Sequence, residues 1–103
     1  MFNLKQLETF YWAAKLGSFT AAAERLNYTQ STVSMRIHDL EQDLGVSLFD
    51  RSQRTARITS KGRDLLKQAE ELLNLSAEVH ERIAAPGTRR GIVRLGVAEM
   101  ISV

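Results

Sequence analysis

Gln30, Ser31, Thr32, Ser34, Met35 and Arg36 form one short run, and it carries the most informative chemistry in the chain. The Gln30 carboxamide has the donor and acceptor geometry for a bidentate contact with adenine, and Ser31 and Ser34 can donate to or accept from several bases. Met35 offers an apolar surface that suits a thymine methyl. Thr29 and Thr32 lie where they can assist exposed backbone N–H groups at a helix start, an arrangement that holds phosphate. Arg36 lies at the edge of the apolar side, so a phosphate contact and an internal ion pair with an acidic residue are both open. This is hydrogen-bonding, nearly uncharged surface chemistry, suited to reading base edges in duplex DNA.

Bond-making chemistry lacks its residues. The sequence has no cysteine, which excludes disulfides, cysteine–zinc sites and thiol catalysis. His38 and His80 are far apart, and neither has a partner at metal-ligand spacing. Ser31, Thr32 and Ser34 have no nearby group to act as their base. No glycine-rich phosphate loop, nucleophile elbow or zinc-protease motif occurs. The carboxylates Glu41/Asp43 and Glu70/Glu71 are read as solvated helix faces. The expectation is a binding module with no catalytic residue and no metal or cofactor in this segment.

The run must be carried by helices. Residues 4–16 form a first helix with Leu4, Leu7, Tyr11 and Ala14 on one apolar side and Phe10 beside it; Gly17 stops it and Ser18 caps the next. Trp12 lies off that stripe, and core and partner surface are both open for it. Ala21, Ala22, Ala23 and Leu26 give a short second helix over 19–26, small enough for close backbone approach. Asn27-Tyr28-Thr29 then interrupts it, since Asn tolerates the left-handed conformation that ends helices. Thr29 caps a third helix over 30–44, where Val33, Ile37, Leu40 and Leu44 repeat at helical spacing and Gly45 ends the run. Ser31, Met35, His38 and Gln42 occupy the other face. Two helices about a three-residue turn make a helix-turn-helix, whose second helix enters the major groove. Ser18 and Thr20 are then placed to anchor the second helix to the backbone of the same duplex.

The formal charge of +2 is small, but its distribution is uneven. Between Val46 and Arg63 stand Arg51, Arg54, Arg57, Lys61 and Arg63 against one acid, Asp50. VSLFDRSQRTARIT reads as two short strands about a basic turn, anchored by Val46, Leu48 and Phe49 and returning through Ile58. It lacks the Asn-Gly or Asp-Gly of a two-residue hairpin, so a longer loop is expected. Arg51 and Arg54 on this wing suit phosphate contact or insertion into a narrow minor groove.

Thr59 or Ser60 caps a long fourth helix, running to about residue 84 or 85. Leu65, Ala69, Leu72, Ser76, Val79 and Ile83 follow one another at helical spacing, with Leu66 and Leu73 widening the stripe. Such a helix is about 38 Å long at roughly 1.5 Å per residue, more than a three-helix core can cover. A second copy of the chain is the simplest partner for Leu65, Ala69, Leu72, Leu73, Ser76, Val79 and Ile83. The competing reading is a helical scaffold whose basic hairpin is only a charged surface.

The expected organisation is a winged helix-turn-helix over 1–59 (mainly α, with three helices and a two-stranded wing), a dimerisation helix over 60–85 and a hinge over 86–91. The hinge is marked by Pro86, Gly87 and Gly91. Residues 92–103 read as a strand that opens a further domain, because one strand makes no sheet by itself. MFNLKQ has no secretory pattern, and no apolar run approaches the ~20 residues that span a bilayer. A soluble cytoplasmic protein is expected.

The chain also resembles the N-terminal part of a LysR-type transcriptional regulator. The likeness runs through LKQLETFYWAAKLGSFTAAAERLNYTQSTVSMRIHDLEQDLGVSLFDRSQRTARITSKGRDLL. It is strongest in SFTAAAERL, in TQSTVSMRIHDLEQDLGVSLFDR and in the T-x-x-G of Thr59 to Gly62. The resemblance implies a winged helix-turn-helix that binds promoter DNA, a dimerising linker helix, and a periplasmic-binding-like domain that takes a small-molecule effector. Full-length members are often tetramers. Carried over by position, DNA contacts fall on Gln30, Ser31, Ser34 and Met35, supported by Thr29, Thr32, Arg36, Arg51 and Arg54. Thr32 and Met35 depart from the family, which often has a small apolar residue or proline at the first position and a longer polar residue at the second.

Overall fold

A computed structural model describes residues 1–52 and 56–85. Arg54, the hinge over 86–91 and the strand over 92–103 lie outside the described residues. The elements follow the order α1 (Leu4–Leu16), α2 (Phe19–Leu26), α3 (Gln30–Leu44), β1 (Phe49–Asp50), β2 (Arg57–Ile58) and α4 (Ser60–Ile83). The chain falls into two compact units, Met1–Ala69 and Glu70–Val103.

Local chemistry explains where the first three helices begin and end. Asn3 caps α1 through a reciprocal box: its side chain accepts from the Gln6 N–H at 2.8 Å, and the Gln6 side chain accepts from the Asn3 N–H at 2.9 Å. Ser18 caps α2 by accepting from the Ala21 N–H at 3.0 Å, and Thr29 caps α3 by accepting from the Thr32 N–H at 3.1 Å. Gly17, Asn27 and Gly45 end the three helices in the left-handed conformation. Asn27 does so at φ 62°, the one positive φ at a non-glycine residue among those described.

The helices α1, α2 and α3 pack against one another. Leu7, Phe10 and Tyr11 of α1, Ala22 and Ala23 of α2, and Val33, Ile37 and Leu40 of α3 are buried together with Leu48 and Phe49. The two alanines let the α2 backbone come close, as their size predicts. Phe49 ties the wing to this core, with ring centroids 5.6 Å from Phe10 and 5.2 Å from Phe19. The α1 stripe is shifted from its expected position: Leu4, in the first turn, is exposed, and Trp12 and Ala13 are buried instead. Trp12 is therefore core, with the Arg25 guanidinium 4.0 Å above its ring.

The wing strands pair antiparallel, Phe49 opposite Ile58 and Asp50 opposite Arg57. Thr59 joins wing to α4. Its N–H donates to the Leu48 carbonyl at 3.0 Å, its hydroxyl donates to the Ser47 carbonyl at 2.7 Å, and that hydroxyl accepts from the Gly62 N–H at 3.0 Å. Of the two expected caps for α4, Thr59 is the one used. The helix ends at Ile83, slightly before the expected boundary, with one further turn bond from the Ala84 N–H to the His80 carbonyl.

Candidate nucleic-acid interface

The capping of α3 determines what its first turn presents. The Thr29 hydroxyl accepts from the Thr32 N–H and donates to Thr32 Oγ1 at 2.9 Å, with Ser31 Oγ 3.3 Å away. Three hydroxyls thus gather at the start of the helix. Gln30, Ser31, Met35, His38 and Gln42 are exposed, while Thr32 and Ser34 are half-buried. Met35 is 55% exposed, which leaves its thioether open to an apolar contact. Val33, Ile37 and Leu40 hold the opposite face in the core. The expected division of α3 into an outward polar face and a packing face is present, although Leu44, at the end of the packing repeat, is only half-buried. Ser18 is occupied as the α2 cap and half-buried, whereas Thr20 is exposed in the same turn.

Arg36 takes an internal position that sequence alone left open. Its guanidinium lies 4.4 Å above the Tyr28 ring, and its charge acts on Glu8. Burial raises the Glu8 carboxyl above its ordinary value, and the nearby positive charges of Lys5 and Arg36 offset part of that rise.

Glu41 corrects the sequence reading. It was expected on a solvated face, but it is 7% exposed and lies at the junction between α3 and the wing. One carboxylate oxygen accepts from the Leu48 N–H at 2.8 Å and the Phe49 N–H at 3.3 Å; the other pairs with Arg51 at 3.1 Å. The companion acid, Asp43, does face solvent, where it pairs with the N-terminal ammonium at 3.2 Å. Arg51 is 48% exposed and leans back on this carboxylate, so its charge is shared between the molecule and the solvent. His38, Gln42, Gly45, Val46, Ser47 and Arg51, together with Glu41, line a shallow groove between the second half of α3 and the base of the wing. Nearby, the Ser52 N–H donates to Asp50 at 3.0 Å and, with the Ser52 side chain, holds that carboxyl below the usual range. Arg63 turns back toward the Ile58 carbonyl at 3.5 Å, while Arg57 and Lys61 are exposed.

The expected dimerisation stripe of α4 divides in two. Ala69 and Leu73 are buried, Leu65 and Ser76 are half-buried, and Leu72, Val79 and Ile83 are exposed. Leu75, absent from the expected stripe, is 56% exposed and joins the uncovered row. Among the described residues no group of His, Cys, Asp and Glu is arranged to hold a metal ion, and no helix is long and apolar enough to cross a membrane.

A sequence model of the bacterial regulatory helix-turn-helix proteins of the lysR family matches residues 4–63, the span that contains α1 to the start of α4. The chain belongs to the LysR family. Two curated relatives from Bacillus subtilis (strain 168) are the HTH-type transcriptional regulators YofA, 37% identical, and YtlI, 42% identical; each alignment covers 94% of this chain. It covers 34% of YofA and 32% of YtlI, so the chain spans about a third of the relatives it matches. Among solved structures, the CbnR DNA-binding domain in complex with DNA superposes with a TM-score of 0.74 at 35% identity, over 78% of this chain and 92% of that one. The winged helix-turn-helix and the long helix after it are thus the LysR arrangement, as the motifs SFTAAAERL and TQSTVSMRIHDLEQDL implied.

Proposed function

We propose that this chain is the DNA-binding and dimerising part of a ligand-responsive transcription regulator, recognising promoter sequence in double-stranded DNA. The observation that carries this reading is the exposed, almost uncharged face of α3 beside a basic wing. Gln30, Ser31, Ser34 and Met35 lie along the major groove and read base edges, with the hydroxyls of Thr29 and Thr32 and the first N–H groups of α3 against a phosphate. Thr20 and the Ser18 turn meet the backbone of the same duplex, and Arg54 supplies wing charge. The exposed row on α4 joins two copies, which places two recognition helices on a dyad-symmetric site. Control of a promoter, response to a small-molecule effector through a further domain, and a cytoplasmic, nucleoid-bound location complete the proposal. The likeness to the CbnR DNA-binding domain solved on DNA supports it.

Selection of bound duplexes from a random pool tests the proposal directly. The expected result is one enriched sequence with two related half-sites, bound far more tightly than random duplex and released steeply as salt rises. Equal affinity for the selected and the random duplexes would remove sequence recognition from the proposal.

A further inference from the structure

We propose that Glu41 and Arg51 are positioning residues, a clamp that fixes the wing on the recognition helix, and that Arg51 contributes to DNA binding through this clamp rather than as a phosphate ligand. The consequence for DNA rests on the DNA-binding reading above; the clamp itself does not.

A charge removed from water destabilises the fold unless donors replace its hydration. Glu41 has such donors, and all three come from the wing: the N–H groups of Leu48 and Phe49 on one oxygen and the Arg51 guanidinium on the other. Leu48 and Phe49 enter β1 and Arg51 follows it, so a single side chain of α3 grips the strand at both ends. Arg51 also lies 5.7 Å from the centre of the Phe19 ring, which packs edge-on against Phe49. Helices α2 and α3 and strand β1 therefore meet at this ion pair.

The grip is on the same helix that carries Ser31, Ser34 and Met35. Holding it rigid sets the offset between the element in the major groove and the element beside it, so neither has to be ordered when DNA binds. Glu41 already balances the Arg51 charge from 3.1 Å, which weakens the pull of that guanidinium on a phosphate. As a phosphate ligand, Arg51 would add roughly one unit to the log–log salt slope. As a strut, it adds affinity with no change in slope.

Arg51→Gln and Glu41→Gln in the full chain separate these roles, using a duplex recovered by the random-pool selection. The clamp predicts that Arg51→Gln weakens binding roughly fivefold at every salt concentration, a loss consistent with one partly exposed charge pair. It also predicts faster hydrogen exchange at the Leu48 and Phe49 amides. In a hydroxyl-radical footprint, protection on the wing side is lost while protection under α3 remains, a split that a general loss of stability would not produce. A salt slope lowered by roughly one per protomer would overturn the assignment. So would amide exchange identical to the wild type, or a footprint that fades uniformly. Glu41→Gln keeps an acceptor for the two amides but loses the charge on Arg51, and it should give the same split. Should that variant fail to fold, Arg51→Gln, on a half-exposed side chain, still decides the matter. If the wild-type chain retains no duplex at low salt, the DNA-binding reading fails, and amide exchange alone then judges the clamp.

Discussion

A Cβ built on Gly62 would overlap the Leu48 carbonyl oxygen and lie 2.5 Å from Ile58 Cγ1. Neither neighbour is a flexible side-chain end that can swing aside, because Leu48 and Ile58 are held by Thr59 and by the β1–β2 pairing. The glycine of the T-x-x-G motif thus permits the start of α4 to press on the wing. Gly62→Ala gains helix propensity but must force the two apart, and the overlap outweighs the gain; a net loss on the order of 1–2 kcal/mol is expected in urea unfolding. Glu8 gives a pH-dependent expectation at the same scale. Its carboxyl is raised by burial, so the folded state binds its proton more tightly than the unfolded chain does. The resulting stability is fully present below the ordinary glutamate range and is lost as pH rises through the raised value. Glu8→Gln should remove that decline, making the protein more stable than wild type at neutral pH and flattening its stability above pH ~4.5, measured by denaturation across a pH series. At the reading face, Met35→Gln exchanges an apolar contact for a bidentate hydrogen-bonding group. Its selected site should change at one base position per half-site, by roughly 1–3 kcal/mol of discrimination, while its affinity for random duplex stays close to wild type. An unaltered selected site would take Met35 out of the recognition set.

The turn between α2 and α3 shows, at the scale of elements, what local sequence can and cannot specify. Asn27 takes φ 62°, and the Tyr28 N–H closes the turn on the Ala23 carbonyl at 2.9 Å. A β-branched residue resists that conformation, so Asn27→Val should cost roughly 1–2 kcal/mol of stability, whereas Asn27→Gly should retain the fold. Equal unfolding midpoints for the two variants would count against a strained turn. This turn was legible because its signals lie within a few residues of the structure they cause. The same holds for the caps at Ser18 and Thr29 and the stops at Gly17 and Gly45, and the end of α1 and the boundaries of α2 and α3 follow from them. Glu41 was not legible for the opposite reason. Its partners Leu48, Phe49 and Arg51 come from the wing, and nothing in DLEQDL distinguishes a carboxylate facing solvent from one facing the next element. The tie of Arg51 to Glu41 was invisible for the same reason, since it exists only in the fold. Gly62 could be quoted as part of a motif, but its cause, a carbonyl of the preceding strand, is visible only in three dimensions. Periodicity found the apolar side of α4 but placed its centre between Ala69, which is buried, and Leu75, which is not.

At the scale of the whole molecule, that difference within α4 determines how a dimer would form. On a helix turning about 100° per residue, Gly62, Ala69 and Leu73 lie on one flank of the stripe, and Leu72, Leu75 and Val79 lie on the other. The first flank is buried within the chain; the second, extended by Ile83 at 78% exposed, leaves large side chains in water. The helix has 24 residues, a length of about 36 Å, so the row is long enough to align two copies rather than to make a single contact. An apolar side chain moved fully from water into such a contact contributes up to roughly 1.5–3 kcal/mol, and a row of them is the driving force that offsets the entropy lost on association. Leu72→Asp places a charge in the middle of the row without disturbing the buried flank. It should therefore leave the fold and its unfolding midpoint near wild type, convert the dimer to monomer in sedimentation, and weaken binding to a two-half-site duplex. Binding to a single half-site should be nearly unchanged, because the loss is one of effective concentration between linked sites. Leu73→Asp acts on the buried flank and should instead lower stability. An unchanged dimer in Leu72→Asp would move the association surface off this row. Equal losses on the one-half-site and two-half-site duplexes would mean that the residue acts on the fold and not on the pairing of two recognition helices.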